Sequence, residues 1–240
     1  MSRIANTLTR TLATALAAIL LPLPALACAV ELILAVDTSG SIDDREFALQ
    51  MEGTAAAFEH PSMINAIEAQ EGGVQIILTQ WSGRTRQRIV TEWHLIEDAP
   101  TMAAFATAIR RGGRHWRNYS TAIGEALEHA KRVGETVPQR CKRRIVDVSG
   151  DGISNEGREP RDMAQTLAAL GYSVNGLVIR GDSPDPVEYY RQNVLAGPRS
   201  FLEVAEGFED YPRAILRKLL REIEEHALVS HADQDDIGSD

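Results

Sequence analysis

The chain has 240 residues, 44% of them apolar, and a formal net charge of −9. That apolar content excludes a disordered polymer, and the length suits one α/β unit with a sizeable core. The acidic balance excludes general nucleic-acid binding, which needs a cationic face to displace counterions.

Taken in chain order, residues 1–27 read as an export signal. Arg3 and Arg10 form a basic start, an apolar stretch follows, Pro22 and Pro24 break it, and Ala25-Leu26-Ala27 supplies small residues for cleavage. The expected location is therefore the periplasm or the exterior. A lipoprotein anchored through Cys28 is the lesser alternative, because Ala25 stands where a lipobox usually has Leu. The apolar stretch is short for a membrane span, and no later segment is long and apolar enough to be one.

After the leader, strand and helix patterns alternate. Residues 30–36 (VELILAV) form a short apolar run that fits a buried parallel strand. Residues 43–60 carry Phe47, Met51, Ala55 and Phe58 at helical spacing. Residues 74–79 (VQIILT) predict a second strand, and 87–93 a third, antiparallel and at the edge. Helices follow at 101–111 and 121–133, a strand at 144–149, a helix at 161–170 stopped by Gly171, and a strand at 173–179. A helix at 186–195, a short strand at 200–204 and a helix at 209–227 complete the pattern, and the polar tail 230–240 is expected to be disordered. This alternation implies an α/β fold: one doubly wound, mostly parallel sheet with helices on both faces and one antiparallel edge strand, spanning residues 28–229 as a single domain. In such sheets ligands bind beyond the carboxyl ends of the strands.

Three segments fall at those ends. Asp37-Thr38-Ser39-Gly40-Ser41 follows the first strand, Tyr119-Ser120-Thr121-Ala122-Ile123-Gly124 enters a helix, and Ser149-Gly150-Asp151-Gly152 follows the strand at 144–149. Together they offer carboxylates and hydroxyls, with no thiolate or imidazole. Such a hard oxygen set suits Mg²⁺, Mn²⁺ or Ca²⁺ rather than Zn²⁺ or Cu²⁺. Singly, each residue has a plainer reading: Ser41 or Asp43 as a helix cap, Thr121 as another, Asp151-Gly152 as a turn.

Asp37, Ser39 and Ser41, then Thr121, then Asp151, resemble the Asp-x-Ser-x-Ser, Thr, Asp pattern of the metal-ion-dependent adhesion site of von Willebrand factor A domains, and in particular a group of secreted bacterial members without an established role. The resemblance covers roughly residues 30–227. It implies that Asp37, Ser39, Ser41 and Thr121 hold a divalent cation, Mg²⁺ first, directly or through water, with Asp151 often through water. It implies a non-enzymatic binding module of the bacterial envelope, in which the metal captures a carboxylate of an acidic protein partner.

Arg114, Trp116, Arg117 and Tyr119, just before Thr121, then read as a cationic and aromatic rim for that partner, or else as a solvated loop paired with the protein's own acids. In the implied fold, Cys28 and Cys141 lie a similar distance below Asp37 and Asp151 on neighbouring strands, so a disulfide at the lower end of the sheet is expected. Asp147, inside an apolar strand, needs a partner or a hydrogen bond. The competing functions are a metal-dependent hydrolase of the phosphatase kind and a metal-free scaffold. Against the first, Ser39 stands where an aspartyl phosphatase needs its second Asp.

Overall fold

The computed structural model describes residues 28–181 and 183–224, so the expected leader and the expected acidic tail lie outside the described residues. Strand β1 (Val30–Asp37) is buried along all eight residues because it is covered on both faces and paired on both edges. It runs parallel to β2 (Val74–Trp81) on one side and to β5 (Arg143–Gly150) on the other. Beyond β5 lie the parallel strands β6 (Tyr172–Ile179) and β7 (Leu202–Ala205). From β2 through β7 the sheet order is β2-β1-β5-β6-β7, with β3 (Gln87–Ile89) beyond β2, so the chain leaves β1 toward one edge and later returns to its other side. The carboxyl ends of β1 and β5 therefore flank the point where the winding reverses, the place where such sheets bind ligands.

The antiparallel edge expected at 87–93 forms as two short strands, β3 (Gln87–Ile89) and β4 (His94–Ile96), both paired with β2. Between them the chain bulges. The amides of Val90 and Thr91 both donate to the Leu78 carbonyl, at 2.9 and 3.3 Å, and the Thr91 hydroxyl accepts from the Leu78 amide at 2.9 Å. A side chain thus replaces the lost ladder bond, and strand periodicity alone does not reveal the break.

Period-two alternation sends Leu32, Leu34 and Val36 to one face and Ile33 and Ala35 to the other. The first face is covered by α1 (Asp44–Glu59), α2 (Pro61–Glu68), α3 (Ala99–Arg111) and α7 (Tyr211–Glu224), around the edge-to-face pair Phe58 and Phe105 with centroids 5.0 Å apart. The second is covered by α4 (Ile123–Gly134), α5 (Pro160–Ala169) and α6 (Val187–Asn193), around Trp81, Leu127, Tyr172 and Tyr190. Helix α1 starts at a capping box in which Asp43 accepts from the Glu46 amide and Glu46 returns the bond, at 2.8 and 2.7 Å. Helix α2 is additional to the expected elements. His60 ends α1 and caps α2, and Pro61 sits in the first turn of the new helix, where its missing N–H costs nothing.

At the lower pole, Cys28 and Cys141 form the expected disulfide, with Cα atoms 4.5 Å apart. Asp147 of β5 also finds its partner: Lys218 of α7, fully buried, places Nζ 2.8 Å from Asp147 and 2.5 Å from Glu222. Asn175 of β6 donates to the same Glu222 carboxylate at 2.8 Å. Two buried acids share one lysine here, tying the last helix to the centre of the sheet.

Candidate metal site

Asp37 ends β1 and is fully buried, as is Ser39, whereas Ser41 is exposed. The turn between them is tight because the Ser39 amide donates back to Asp37 Oδ1 at 2.7 Å. The Ser39 and Ser41 hydroxyls lie 3.4 Å apart, and Ser41 Oγ donates to Asp151 Oδ1 at 2.9 Å. Asp151 follows β5 immediately and is 5% exposed. The first and third motif segments thus meet at the winding reversal, through residues 110 apart in sequence.

Thr121 is carried beside them by the loop that enters α4. Its backbone is gripped from both sides. Its amide donates to Asn155 Oδ1 at 3.0 Å, and its carbonyl accepts from the Asn155 amide at 2.9 Å and from Ser154 Oγ at 3.3 Å. Ser154 Oγ also accepts from the Ile123 amide at 3.2 Å, capping α4 from a distance. These bonds leave the Thr121 hydroxyl outside the clasp. Ser154 and Asn155 are absent from the sequence-based candidates. The available signal was two side chains of the capping type directly after Asp151-Gly152-Ile153.

The same loop approaches β1. The Gly40 amide donates to the Tyr119 carbonyl at 2.8 Å, and a Cβ at position 40 would stand 3.1 Å from the Asn118 Cα, which is why glycine occupies that place.

Arg114 differs from its expected role as a rim residue. Its side chain is only 5% exposed, and it turns inward, because the loop between β1 and α1 leaves a cluster of carbonyls that needs donors. Its guanidinium donates to the carbonyls of Thr38, Ser39 and Ile42 at 3.3, 3.1 and 2.6 Å, and to Asp44 at 3.1 Å. Arg117 pairs with the same Asp44 at 2.9 Å but is exposed. Tyr119 is 43% exposed, with Arg86 stacked over its ring, and Trp116 is half-buried. Two depressions meet at Ser41. One, of about 340 Å³, is lined by Tyr119, Thr121, Ile153 and Pro184; the other, of about 320 Å³, by Arg45, Asp151, Arg180 and Phe208.

Electrostatically the floor is unbalanced. Burial first, and then the neighbouring Asp151, push the Asp37 carboxyl well above the usual range, against the opposing pull of the Ser39 bonds and Arg114. Asp37 Oδ2 is buried without a hydrogen-bond partner. Two close carboxylates, one oxygen without a partner and three nearby hydroxyls have the composition that a hard divalent cation needs: oxygen ligands, and negative charge for it to neutralise. Among the described residues no group of three or more His, Cys, Asp or Glu gathers, so hydroxyls would make up much of such a set.

This sheet order, with an Asp-x-Ser-x-Ser turn at the winding reversal, defines a von Willebrand factor A-like domain. The chain belongs to the family described as "Protein of unknown function (DUF1194)", whose model matches residues 27–227. Solved structures bear out the fold. Proximal thread matrix protein 1 from the mussel byssus aligns with a TM-score of 0.62 at 19% identity, over 82% of this chain and 49% of its own. A second structure of that mussel protein, described as having a zinc-occupied MIDAS motif, aligns at 0.59 and 17% identity over 81% and 46%. The von Willebrand domain of the type V pili tip protein Mfa5 from Porphyromonas gingivalis aligns at 0.57 and 11% identity, over 83% of this chain and 97% of that one. The chain thus spans about half the length of the mussel protein. Comparison with curated proteins returned no match.

Proposed function

We propose that the protein is an exported, non-enzymatic binding module. In this reading Asp37, Ser39, Ser41, Thr121 and Asp151 hold one divalent cation, Mg²⁺ or alternatively Mn²⁺ or Ca²⁺, and the cation takes a carboxylate from an acidic protein partner. The observation that carries the reading is the buried Asp37 carboxylate, beside Asp151 and with one oxygen unpartnered, next to the Ser39 and Ser41 hydroxyls. A set with so many neutral ligands would leave the cation much of its charge, which is what attracts an external carboxylate. The exposed position of Ser41, between two depressions, leaves room for it. Trp116, Arg117 and Tyr119 are the rim that such a partner would meet, and Arg114 supports the loop from below.

The mussel matrix protein and the pilus tip protein Mfa5 share the fold, which supports a role in adhesion or scaffolding. No helix among the described residues is long and apolar enough to cross a membrane.

The test uses Mn²⁺ as a paramagnetic probe on the full chain without its leader. Adding a short Asp-containing peptide should change the electron paramagnetic resonance spectrum of the bound ion, and an Ala-containing control should not. A spectrum indifferent to both peptides would refute carboxylate capture.

A further inference from the structure

Tyr190 of α6 is buried in full, and its hydroxyl has no hydrogen-bond partner. The route by which that hydroxyl reaches its position is unusual. The ring packs over β6 at Gly176, where a Cβ would stand 2.7 Å from Leu202 Cδ1 and 3.0 Å from Tyr190 Cδ1. The hydroxyl then arrives at the end of β5 against Gly150, where a Cβ would stand 2.6 Å from Tyr190 Oη and 2.9 Å from Asp37 Oδ2. Gly150 at the end of β5 makes room for the phenol hydroxyl, and Gly176 within β6 makes room for the ring together with Leu202. Phenylalanine would fill the apolar part of this space equally well. The hydroxyl needs a reason to be there, because burying it unpaired is unfavourable.

The candidate reason stands on the other side of the same gap. Asp37 Oδ2 and Tyr190 Oη are both buried and unpartnered, and both border the space left by the missing Gly150 side chain. One is an acceptor and the other can donate. The gap is polar on both sides and holds no Cβ, the conditions under which a single buried water bridges two groups. We propose that Tyr190 is a positioning residue of the candidate metal site: its hydroxyl donates to the Asp37 carboxylate, directly or through one water, and fixes the orientation in which that carboxylate meets the cation. This rests on the metal-site reading above. It adds Tyr190 and Gly150 to the site from beneath, on the face of the sheet opposite α1. Partners of this kind orient ligating carboxylates, and their loss weakens metal binding without removing a ligand.

The test is Tyr190→Phe, which keeps the ring and the packing. Calorimetric titration with Mg²⁺ should show affinity reduced by about tenfold or more. A merely structural tyrosine would change thermal stability equally with and without metal and leave the affinity alone; unchanged affinity in a wild type that binds Mg²⁺ overturns the proposal. A second measurement separates it from the metal reading. In chelator, urea unfolding of Tyr190→Phe, Asp37→Asn and the double variant should be non-additive if the two groups touch. If the wild type binds no Mg²⁺, the metal reading fails by itself, and this cycle decides the pairing: coupling supports it, additivity overturns it.

Discussion

Ser41 donates its hydroxyl hydrogen to Asp151 Oδ1 across the gap between the β1 and β5 ends, at 2.9 Å. The bond holds an exposed hydroxyl against a nearly buried carboxylate, so the lip and the floor of the candidate site are joined before any ligand arrives. The site is pre-organised by such links, and each can be broken separately.

Arg114 is the largest of them. Arg114→Ala removes a charged donor from the carbonyls of Thr38, Ser39 and Ile42, of which, among the described residues, only that of Ser39 keeps another donor, the Ile42 amide, and hydrogen bonds to charged groups carry a net of about 1.5–3 kcal/mol each, partly regained here from water. The expected loss is about 2–3 kcal/mol, seen as a midpoint lower by roughly 5–10 °C in thermal unfolding. Arg117→Ala, from the exposed partner of the same Asp44, should leave the midpoint nearly unchanged.

Asn155→Ala removes the acceptor of the Thr121 amide while replacing none of the five candidate ligands. Metal affinity measured by calorimetry should fall by about tenfold, as for other groups that orient ligands. Affinity equal to wild type would mean that the Thr121 loop holds its position without the clasp.

The disulfide lies at the pole opposite the site. Replacing Cys28 and Cys141 by Ser removes a link that closes a 113-residue separation. The chain-entropy account predicts a stability loss of about 5 kcal/mol in urea. Mg²⁺ affinity of the folded variant should be unchanged, because the site rests on the far ends of the strands.

The buried triad under α7 makes stability depend on pH. Burial, and then nearby Asp147, push the Glu222 carboxyl up to about 7 against the pull of Lys218. A folded-state value above the unfolded one means that the folded chain holds this proton more tightly. The resulting stability is fully present below the unfolded value and is lost as pH rises toward about 7. Urea unfolding in chelator should show wild type losing more stability between pH 5 and pH 8 than Glu222→Gln, which has no proton to release. Parallel profiles would contradict the assignment.

Much of this was legible before the fold was known, for local reasons. VELILAV at β1 and the apolar spacing of Phe47, Met51 and Phe58 in α1 are signals within single elements, and the sheet follows from their alternation. Asp37, Ser39 and Ser41 are joined by a turn, and Asp151 sits at the same height on the neighbouring strand, so sequence order and strand adjacency suffice to bring them together. The misses are of another kind. Helix α2 was hidden because Pro61, a common stop signal, here stands in a first turn. The inward course of Arg114 depends on a carbonyl cluster formed only once the β1–α1 loop has folded. Lys218 lies on a helix whose apolar stripe gave no hint that a charge would point into the sheet toward Asp147. Tyr190 Oη and Asp37 Oδ2 border one gap at Gly150, a neighbourhood that exists only in three dimensions.

The central claim is that this floor of carboxylates and hydroxyls holds a divalent cation. Isothermal titration of Mg²⁺ into the chelator-stripped chain, beside Asp37→Ala with its fold checked by circular dichroism, tests it most directly. The account predicts saturable binding of one ion in the wild type and none in the variant. Absence of binding in the wild type, or equal binding in a folded Asp37→Ala, would contradict it.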